Sequence, residues 1–594
     1  MLVMGISFGY HDSSVAIVED GNIIVAADEE RFSRIKHDNN FPFNALEFCL
    51  KYINKKIDNI DKIIYYENPY KKLNRLLDTA QDDNSNSIND ILTHWISHDK
   101  LDPLRTIAEN LGISTSKITF TDHHLSHASA AFFSSTLINS TIVTIDGVGE
   151  YETITILKGE NTNLTKLKSY TLPNSLGMLY SAFTSFLGFK INEGEYKVMG
   201  MASYGEPIYL DKIKETVSIK NNGEFLINEE YYDFTSTAKE HLKEKFHSKF
   251  GEKRDISIDF FIKEKDAPIF LSEELKNIHL EKNRYYANIA ASIQRLLEEI
   301  VISIIDNAIK LTGYNSLCFS GGVALNATAN GKIKKHFDLD SFFIQPAAGD
   351  SGNALGAALY YTYCVKSLAR VNKKFSPFLG KKYLANEILT AIEDYMIINF
   401  KEYISKSNFA KEVASLLIQD KVIGFFNERF EFGPRALGHR SIIASPVNES
   451  MQHKVNEKIK FRELFRPFAP SVLKEEAPKW FHIDNPIDEN APENFMITTV
   501  KVRDEKIKLI PAVTHFDQTA RIQLVSEDNE LYCSVIKEFF KLSEVPILLN
   551  TSFNLKGEPV VNSPQDAIKT FEACDMDILA IYPYILYKNA KDIK

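Results

Sequence analysis

One pattern limits the fold of this chain more than any other: a strand, an Asp-Gly turn and a second strand, written twice. The opening "MLVMGISFGYHDSSVAIVEDGNIIVAADEERFSR" reads as three short strands, with Asp20-Gly21 as the hairpin signal between "SSVAIVED" and "NIIVAA". "STIVTIDGVGEYETITILKG" (140–159) repeats the theme around Asp146-Gly147. Each unit is followed by stretches of helical spacing, which predicts a duplicated α/β core with both turns on one cleft. At 594 residues the chain exceeds a single core, so two or three domains are expected.

Further along, helical periodicity runs from about 268 to 312 and stops at Gly313, a C-capping residue. "SLCFSGGVALNATANGKI" (316–333) and "FFIQPAAGDSGNALGAALYYTY" (342–363) each read as a strand, a glycine turn and a helix. Residues 367–384 are irregular and basic, and read as a linker between a domain at 1–366 and a second α/β domain at 385–594. The second domain's strands include "KVIGFFN" (421–427) and "EVPILLN" (544–550).

Composition excludes several classes. The N-terminus has no basic region followed by an apolar stretch, so it does not read as a signal peptide, and no apolar run is long enough for a membrane span. Five scattered cysteines without a CxxC pair argue against a zinc ribbon and a disulfide framework, and fit a reducing cytoplasm. A net charge of −10 disfavours a nucleic-acid partner.

In "TDHHLSHASAAF" (121–132), His123 and His127 stand four apart, so on a helix both rings face one side and can share a cation, whereas His124 points elsewhere. A capped helix start at Thr121 or Asp122 is the competing explanation. Asp350, at a strand-to-helix turn, is a candidate third ligand or an N-cap. The turns "SGGVALN" (320–326) and "GDSGNALG" (349–356) place backbone N–H groups where phosphates bind, and Asp146 in "DGVGE" offers a carboxylate to a phosphate-bound cation. The second domain gathers Arg429, Arg435 and Arg440, then Lys460, Arg462 and Arg466, then His515 and Arg521, then Asn550 to Lys556. Arginines set among glycine and proline suit fixed contacts to an anionic substrate, and ion pairs with Glu428, Glu431 and Glu463 are the alternative.

Taken in order, "GISFGYHDSSVAIVEDG", "DHHLSHASAAF", "GEYKVMGMASYG", "SGGVALN", "GDSGNALGAAL", "EFGPRALGHRSI", "FRPFAPSVL" and "LNTSFNLKGEPVV" resemble the O-carbamoyltransferase family of antibiotic, nodulation-factor and toxin biosynthesis, over nearly the whole chain. The resemblance implies an N-terminal actin-like (Kae1/TsaD-like) domain and a C-terminal YrdC-like domain. The second would join carbamoyl phosphate to ATP as carbamoyl-adenylate, releasing pyrophosphate, and the first would pass the carbamoyl group to an acceptor hydroxyl. It further implies His123, His127 and Asp350 as ligands of iron (Fe2+) or another divalent transition metal, with Mg2+ as an added option. His11 matches the active-site histidine, as general base or orienter of the hydroxyl, and Asp12 lies beside it to hold the acceptor. Asp146, Gly147, Lys197, Gly200, Gly321, Gly322, Asn326, Gly349 and Gly352 fall on the nucleotide and phosphate stretches. Lys460, Arg466, Arg521 and Ser552 match the carbamoyl-phosphate and ATP site. The metal would position the adenylate phosphate or polarise the carbamoyl oxygen.

The expected partner is a small hydroxylated metabolite, natural product or glycan, in the cytoplasm, and a homodimer is compatible with the reading. Residues 206–268 carry no recognisable motif and are a natural place for acceptor recognition. A tRNA threonylcarbamoyladenosine enzyme is the alternative from another class, disfavoured by the acidic charge. Hydrogenase-maturation carbamoyltransferases carry paired cysteines, which are absent here. An actin-like sugar kinase would leave the C-terminal cations without a purpose, and a non-catalytic binding protein would leave the whole residue set without one.

Overall fold

The computed structural model describes the chain apart from residues 82–91, 94, 97–99, 221, 235–240, 265–266, 269, 484–486 and 593–594. Contacts divide it into two compact units. The first holds Met1–Ile24, Asn39–Pro42 and Cys49–Phe375, and the second holds Val25–Asp38, Phe43–Phe48 and Ser376–Lys594.

The predicted triple strand forms as β1 (Leu2–Ser7), β2 (Ser14–Glu19) and β3 (Asn22–Asp28), joined by β4 (Lys62–Tyr65) and β5 (Ile118–Phe120); all lie in the first unit except the Val25–Asp28 part of β3, which is counted with the second. Asp20 and Gly21 both have positive φ, the turn that the Asp-Gly pair favours between antiparallel strands. The sheet order is β3-β2-β1-β4-β5, with β1 antiparallel to β2 and parallel to β4. A second sheet uses β6 (Asn139–Ile145), β7 (Glu152–Glu160) and β8 (Asn163–Thr171), with a hairpin of β9 (Val217–Ile219) and β10 (Phe225–Ile227) intervening in sequence before β11 (Ser316–Ser320) and β12 (Ser341–Ile344). Its order, β8-β7-β6-β11-β12, with β6 antiparallel to β7 and parallel to β11, is the first sheet's order again. The duplication expected from the two strand-turn units is therefore present, in a mixed α/β architecture.

β1, β4 and β6 are buried along nearly their whole length, as strands covered on both faces must be. The predicted long helix spans Glu273–Thr312, capped by Ser272 and ended by Gly313 in the left-handed conformation. The helices His123–Ser134 and Asn353–Tyr360 pack on each other so closely that a Cβ at Gly356 would lie 1.9 Å from the Ser126 carbonyl oxygen. That approach, open only to glycine, sets the spacing of the two elements that carry the candidate metal ligands. In the 206–268 segment, residues 221, 235–240 and 265–266 lie outside the described residues. The rest includes the β9–β10 hairpin and a helix, Glu244–Phe250, whose Phe246 and Phe250 pack edge-on against Phe183.

The second unit is built on β13 (Phe400–Glu402), β14 (Ile423–Phe426), β15 (Arg440–Ala444), β16 (Ala469–Leu473), β19 (Gln523–Val525), β20 (Ile547–Ser552), β21 (Ile578–Ile581) and β22 (Tyr584–Tyr587). They form one eight-stranded sheet in the order β13-β22-β21-β14-β15-β20-β16-β19, and β17 (Val500–Lys501) pairs separately with β18 (Thr519–Ala520). The helices Lys406–Ile418 and Glu530–Ser543 pack together over a core that includes Phe425, Ile443, Leu549 and Leu579, one from each of four strands. Among the described residues no helix is long and apolar enough to cross a membrane.

Candidate functional site

In the first unit, four side chains from three elements converge. His123 and His127 come from one helix face, Asp146 from the end of β6, and Asp350 from the turn before the Asn353–Tyr360 helix. The Nε2 atoms of the two histidines stand 3.1 Å apart. Asp146 Oδ2 lies 3.0 Å from one and 3.2 Å from the other, and Asp350 Oδ1 lies 3.5 and 3.3 Å from them. Two imidazole hydrogens cannot serve this many short contacts at once. A cation with bonds of about 2.1 Å holds neighbouring ligands roughly 3.0–3.4 Å apart, so the spacing and the N/O donor set fit a divalent transition metal. Both carboxylates are held from beside: Gly322 N–H donates to Asp146 Oδ1 at 3.0 Å, and Asn353 Nδ2 to Asp350 Oδ1 at 3.4 Å. Among the described residues His123 Nδ1 is buried without a hydrogen-bond partner, 3.9 Å from Glu67 Oε2.

Electrostatics agree with a cation site. Burial opposes charge on His127, yet hydrogen bonds to Asp146 and Asp350 hold it up to about 9. Burial likewise opposes charge on Asp146, and the two imidazoles bring its carboxyl well below the usual range. A proton held this way occupies the position that a metal would take. His124 behaves differently: burial, with the charges of His123 and His127, pushes it down to about 3. It is neutral, with Nε2 donating to the Glu152 carbonyl at 2.9 Å and Nδ1 accepting from the Thr144 hydroxyl at 2.7 Å.

The helix start differs in one respect from the expectation. Asp122 occupies the N-cap position without making the cap bond, and its carboxylate pairs with Lys71 at 2.8 Å. The buried Glu150 instead accepts from His123 N at 2.9 Å and from Asn68 N at 2.7 Å. One carboxylate thus fixes the first ligand's backbone and the entry of a second helix, which suits the positive end of each.

His11 joins the cluster through Nε2, 3.4 Å from Asp350 Oδ2, while Nδ1 meets Asp12 Oδ2 at 2.8 Å. Burial lowers its tendency to charge, but Asp350 and Asp12 raise it to about 9. Gly321 turns the chain at φ +92, where a Cβ would lie 2.2 Å from the Ile145 carbonyl oxygen. Gly147 faces open space, and Gly349 and Gly352 bracket the short turn that presents Asp350. Asn326 is engaged: it caps the Ala327–His336 helix and exchanges hydrogen bonds with Gln294 at 2.9 and 3.1 Å. Lys197 and Gly200 lie on the helix Glu195–Ala202, where the Lys197 ammonium sits 5.4 Å from the Phe189 ring centre. Of the sequence candidates, His11, Asp12, His123, His127, Asp146, Asp350 and Gly322 are brought together by direct contact.

The second unit separates its arginines into two kinds. Arg440 is buried, stacks 3.5 Å from the Phe426 ring centre, and gives its hydrogens to the carbonyls of Asn427, Glu428, His439, Lys381 and Asn562. Arg429 holds the Gly380 carbonyl at 2.9 Å. These two are structural. Arg435, Arg462, Arg466 and Arg521 form the other kind: burial lowers Arg521 well below its ordinary value and the other three charges lower it further, while Arg466 also pairs with Glu463 at 3.6 Å and Arg462 Nε donates to Asn456 Oδ1 at 2.7 Å. Lys460 is depressed by burial, then by Arg462 and Arg466, and its ammonium donates to Ser552 O, Asn554 O and Asn554 Oδ1 at 2.6–2.8 Å. Like charges gathered in this way attract an anion. Arg435 and Arg462 were visible in the sequence only as members of a crowded basic stretch.

The family model of the carbamoyltransferase N-terminus matches residues 2–359, and that of the carbamoyltransferase C-terminus matches 414–588. An uncharacterised protein of Synechocystis is 36% identical, covering 99% of this chain and 97% of its own. Nodulation protein NolNO of Sinorhizobium fredii is 35% identical, covering 98% and 79%. Nodulation protein NolO of Bradyrhizobium diazoefficiens is 34% identical, covering 80% of each chain.

Proposed function

We propose, from the premise that this chain belongs to the carbamoyltransferase family, that it is an ATP-dependent O-carbamoyltransferase whose two units divide the reaction. One observation carries this division: the chain holds two unlike sites, an imidazole–carboxylate cluster suited to a cation and an arginine–lysine cluster suited to polyanions. In this reading the C-terminal part, with a YrdC-like fold over 385–594, activates the carbamoyl group, and the Kae1-like part over 1–366 transfers it.

Activation takes two balanced steps. Carbamoyl phosphate gives carbamate and inorganic phosphate with water, and a carbamate oxygen then attacks the α-phosphorus of ATP as pyrophosphate leaves. Arg435, Arg462, Arg466 and Arg521 offset the repulsion between these anions and the charge that develops between them. Lys460 orders the Ser552–Asn554 turn beside them. In the transfer, the acceptor oxygen attacks the carbamoyl carbon, AMP departs, and the hydroxyl proton goes to His11 Nε2, which would be free to accept it where a cation rather than a proton offsets the Asp350 charge that raises His11. Asp12, on Nδ1, fixes which nitrogen is presented. The Gly147 and Gly321–Gly322 turns would face the nucleotide phosphates. His123, His127, Asp146 and Asp350 would hold iron or another divalent metal, which supplies Lewis acidity toward the adenylate. The acceptor is a small hydroxylated molecule, with Mg2+ accompanying ATP, and the net charge of −10 weighs against the tRNA-linked alternative.

The test separates the half-reactions. His127→Ala should lose metal and acceptor carbamoylation while still releasing pyrophosphate from ATP and carbamoyl phosphate. Lys460→Ala should keep metal and lose pyrophosphate release. Equal loss of both half-reactions in either variant would break the division of labour.

A further inference from the structure

The second unit includes a piece of the chain's beginning, Val25–Asp38 with Phe43–Phe48. We infer that this N-terminal arm is a positioning element of the anion site in the second unit, acting through Arg31 and Arg34. The inference rests on reading the arginine cluster as the site of the anionic reactants.

Arg31 is only 2% exposed, and its Nη2 donates to the carbonyls of Glu431 and Gly433, both at 3.1 Å. Its guanidinium lies 5.4 Å from the Phe430 ring centre, and Phe32 and Phe48 meet the same ring at 6.1 Å. From its other side the turn is fixed by its own buried carboxylate: Glu431 Oε1 accepts from Leu437, His439 and Arg440 N–H at 2.8, 2.9 and 3.1 Å. Arg435 is carried on this turn. Arg34, three residues on, donates from Nη1 to Val560 O at 2.6 Å and from Nη2 to Pro559 O at 2.8 Å. That fixes the far end of the segment whose near end bears Ser552 and Asn554, the acceptors of the Lys460 ammonium. Two arginines at one short helical turn therefore set two loops that carry the residues of the anion site. A buried guanidinium costs desolvation that an apolar side chain of similar volume avoids, so what it adds is geometry.

The test uses the full chain with pyrophosphate as the probe. Arg31→Lys keeps the charge but ends one bond short of the Nη2 that donates to both carbonyls, and Arg34→Gln loses one of the two donating nitrogens. Calorimetric titration should show pyrophosphate binding weakened about ten- to a hundredfold in each, with metal content unchanged. A purely structural role would lower the melting temperature and leave the affinity of the folded protein untouched, and that result overturns the inference. If Arg31→Lys does not fold, Arg34→Gln carries the test, since its side chain is 27% exposed. Arg521→Met serves as the control: unchanged pyrophosphate affinity there would overturn the reading of the cluster itself. Loss there with wild-type affinity in the arm variants would overturn only the role of the arm.

Discussion

Replacing Arg521 by methionine should stabilise the ligand-free protein while weakening its grip on anions. The guanidinium is depressed by burial and by Arg435, Arg462 and Arg466, and its Nε is shielded with no hydrogen-bond partner among the described residues. Two unit charges about 8 Å apart repel by about 2 kcal/mol at an effective dielectric near 20, and physiological salt reduces this to about 1 kcal/mol per pair. Relief from several neighbours amounts to roughly 1–3 kcal/mol, and methionine keeps most of the buried stem. For a unit of this size that is a rise of about 2–12 °C in melting temperature. The lost charge-assisted contact costs about 1.5–3 kcal/mol of anion affinity, roughly a 10- to 150-fold rise in Kd. Scanning calorimetry with and without pyrophosphate reads both quantities together. A lower melting temperature with unchanged affinity would refute the reasoning and make Arg521 a structural residue like Arg440.

Three further outcomes follow from the geometry. Asp146→Ala should reduce bound metal, by elemental analysis, about a hundredfold in affinity or more, because its Oδ2 meets both histidines; full metal retention would remove it from the ligand set. Gly321→Ala should destabilise by about 3 kcal/mol or more in denaturant titration, because its φ is +92 and the new Cβ meets the Ile145 carbonyl at 2.2 Å; an unchanged midpoint would contradict that close approach. Burial opposes ionisation of Glu431, but His439 and Arg31 hold its carboxyl below the ordinary range. Its contribution is therefore present above about pH 4.3, the ordinary glutamate value, and lost as pH falls through the lower folded-state value. Glu431→Gln should flatten that acid limb of stability, and identical acid profiles for variant and wild type would contradict the assignment.

Much of the first unit was legible because its signals are local. The Asp20-Gly21 turn, the i to i+4 spacing of His123 and His127, and the Gly313 stop each act within a few residues. Asp146 was legible as a carboxylate beside a glycine turn, but its contact with both histidines depends on β6 ending next to the His123 helix, which no spacing encodes. Glu150 took the cap that Asp122 was expected to supply because Lys71 engages Asp122. Among the arginines, sequence grouped Arg435 with Arg440, and burial under a Phe426 ring with five carbonyls around it set Arg440 apart. The assignment of Val25–Asp38 to the second unit is a long-range packing result, invisible to periodicity.

The most direct measurement needs no acceptor: incubate the metal-replete protein with ATP and carbamoyl phosphate, and follow pyrophosphate release together with carbamoyl-adenylate by mass spectrometry. The account predicts both products, lost in Lys460→Ala and retained in His127→Ala. Folded, metal-replete protein that binds ATP yet forms neither product would contradict it.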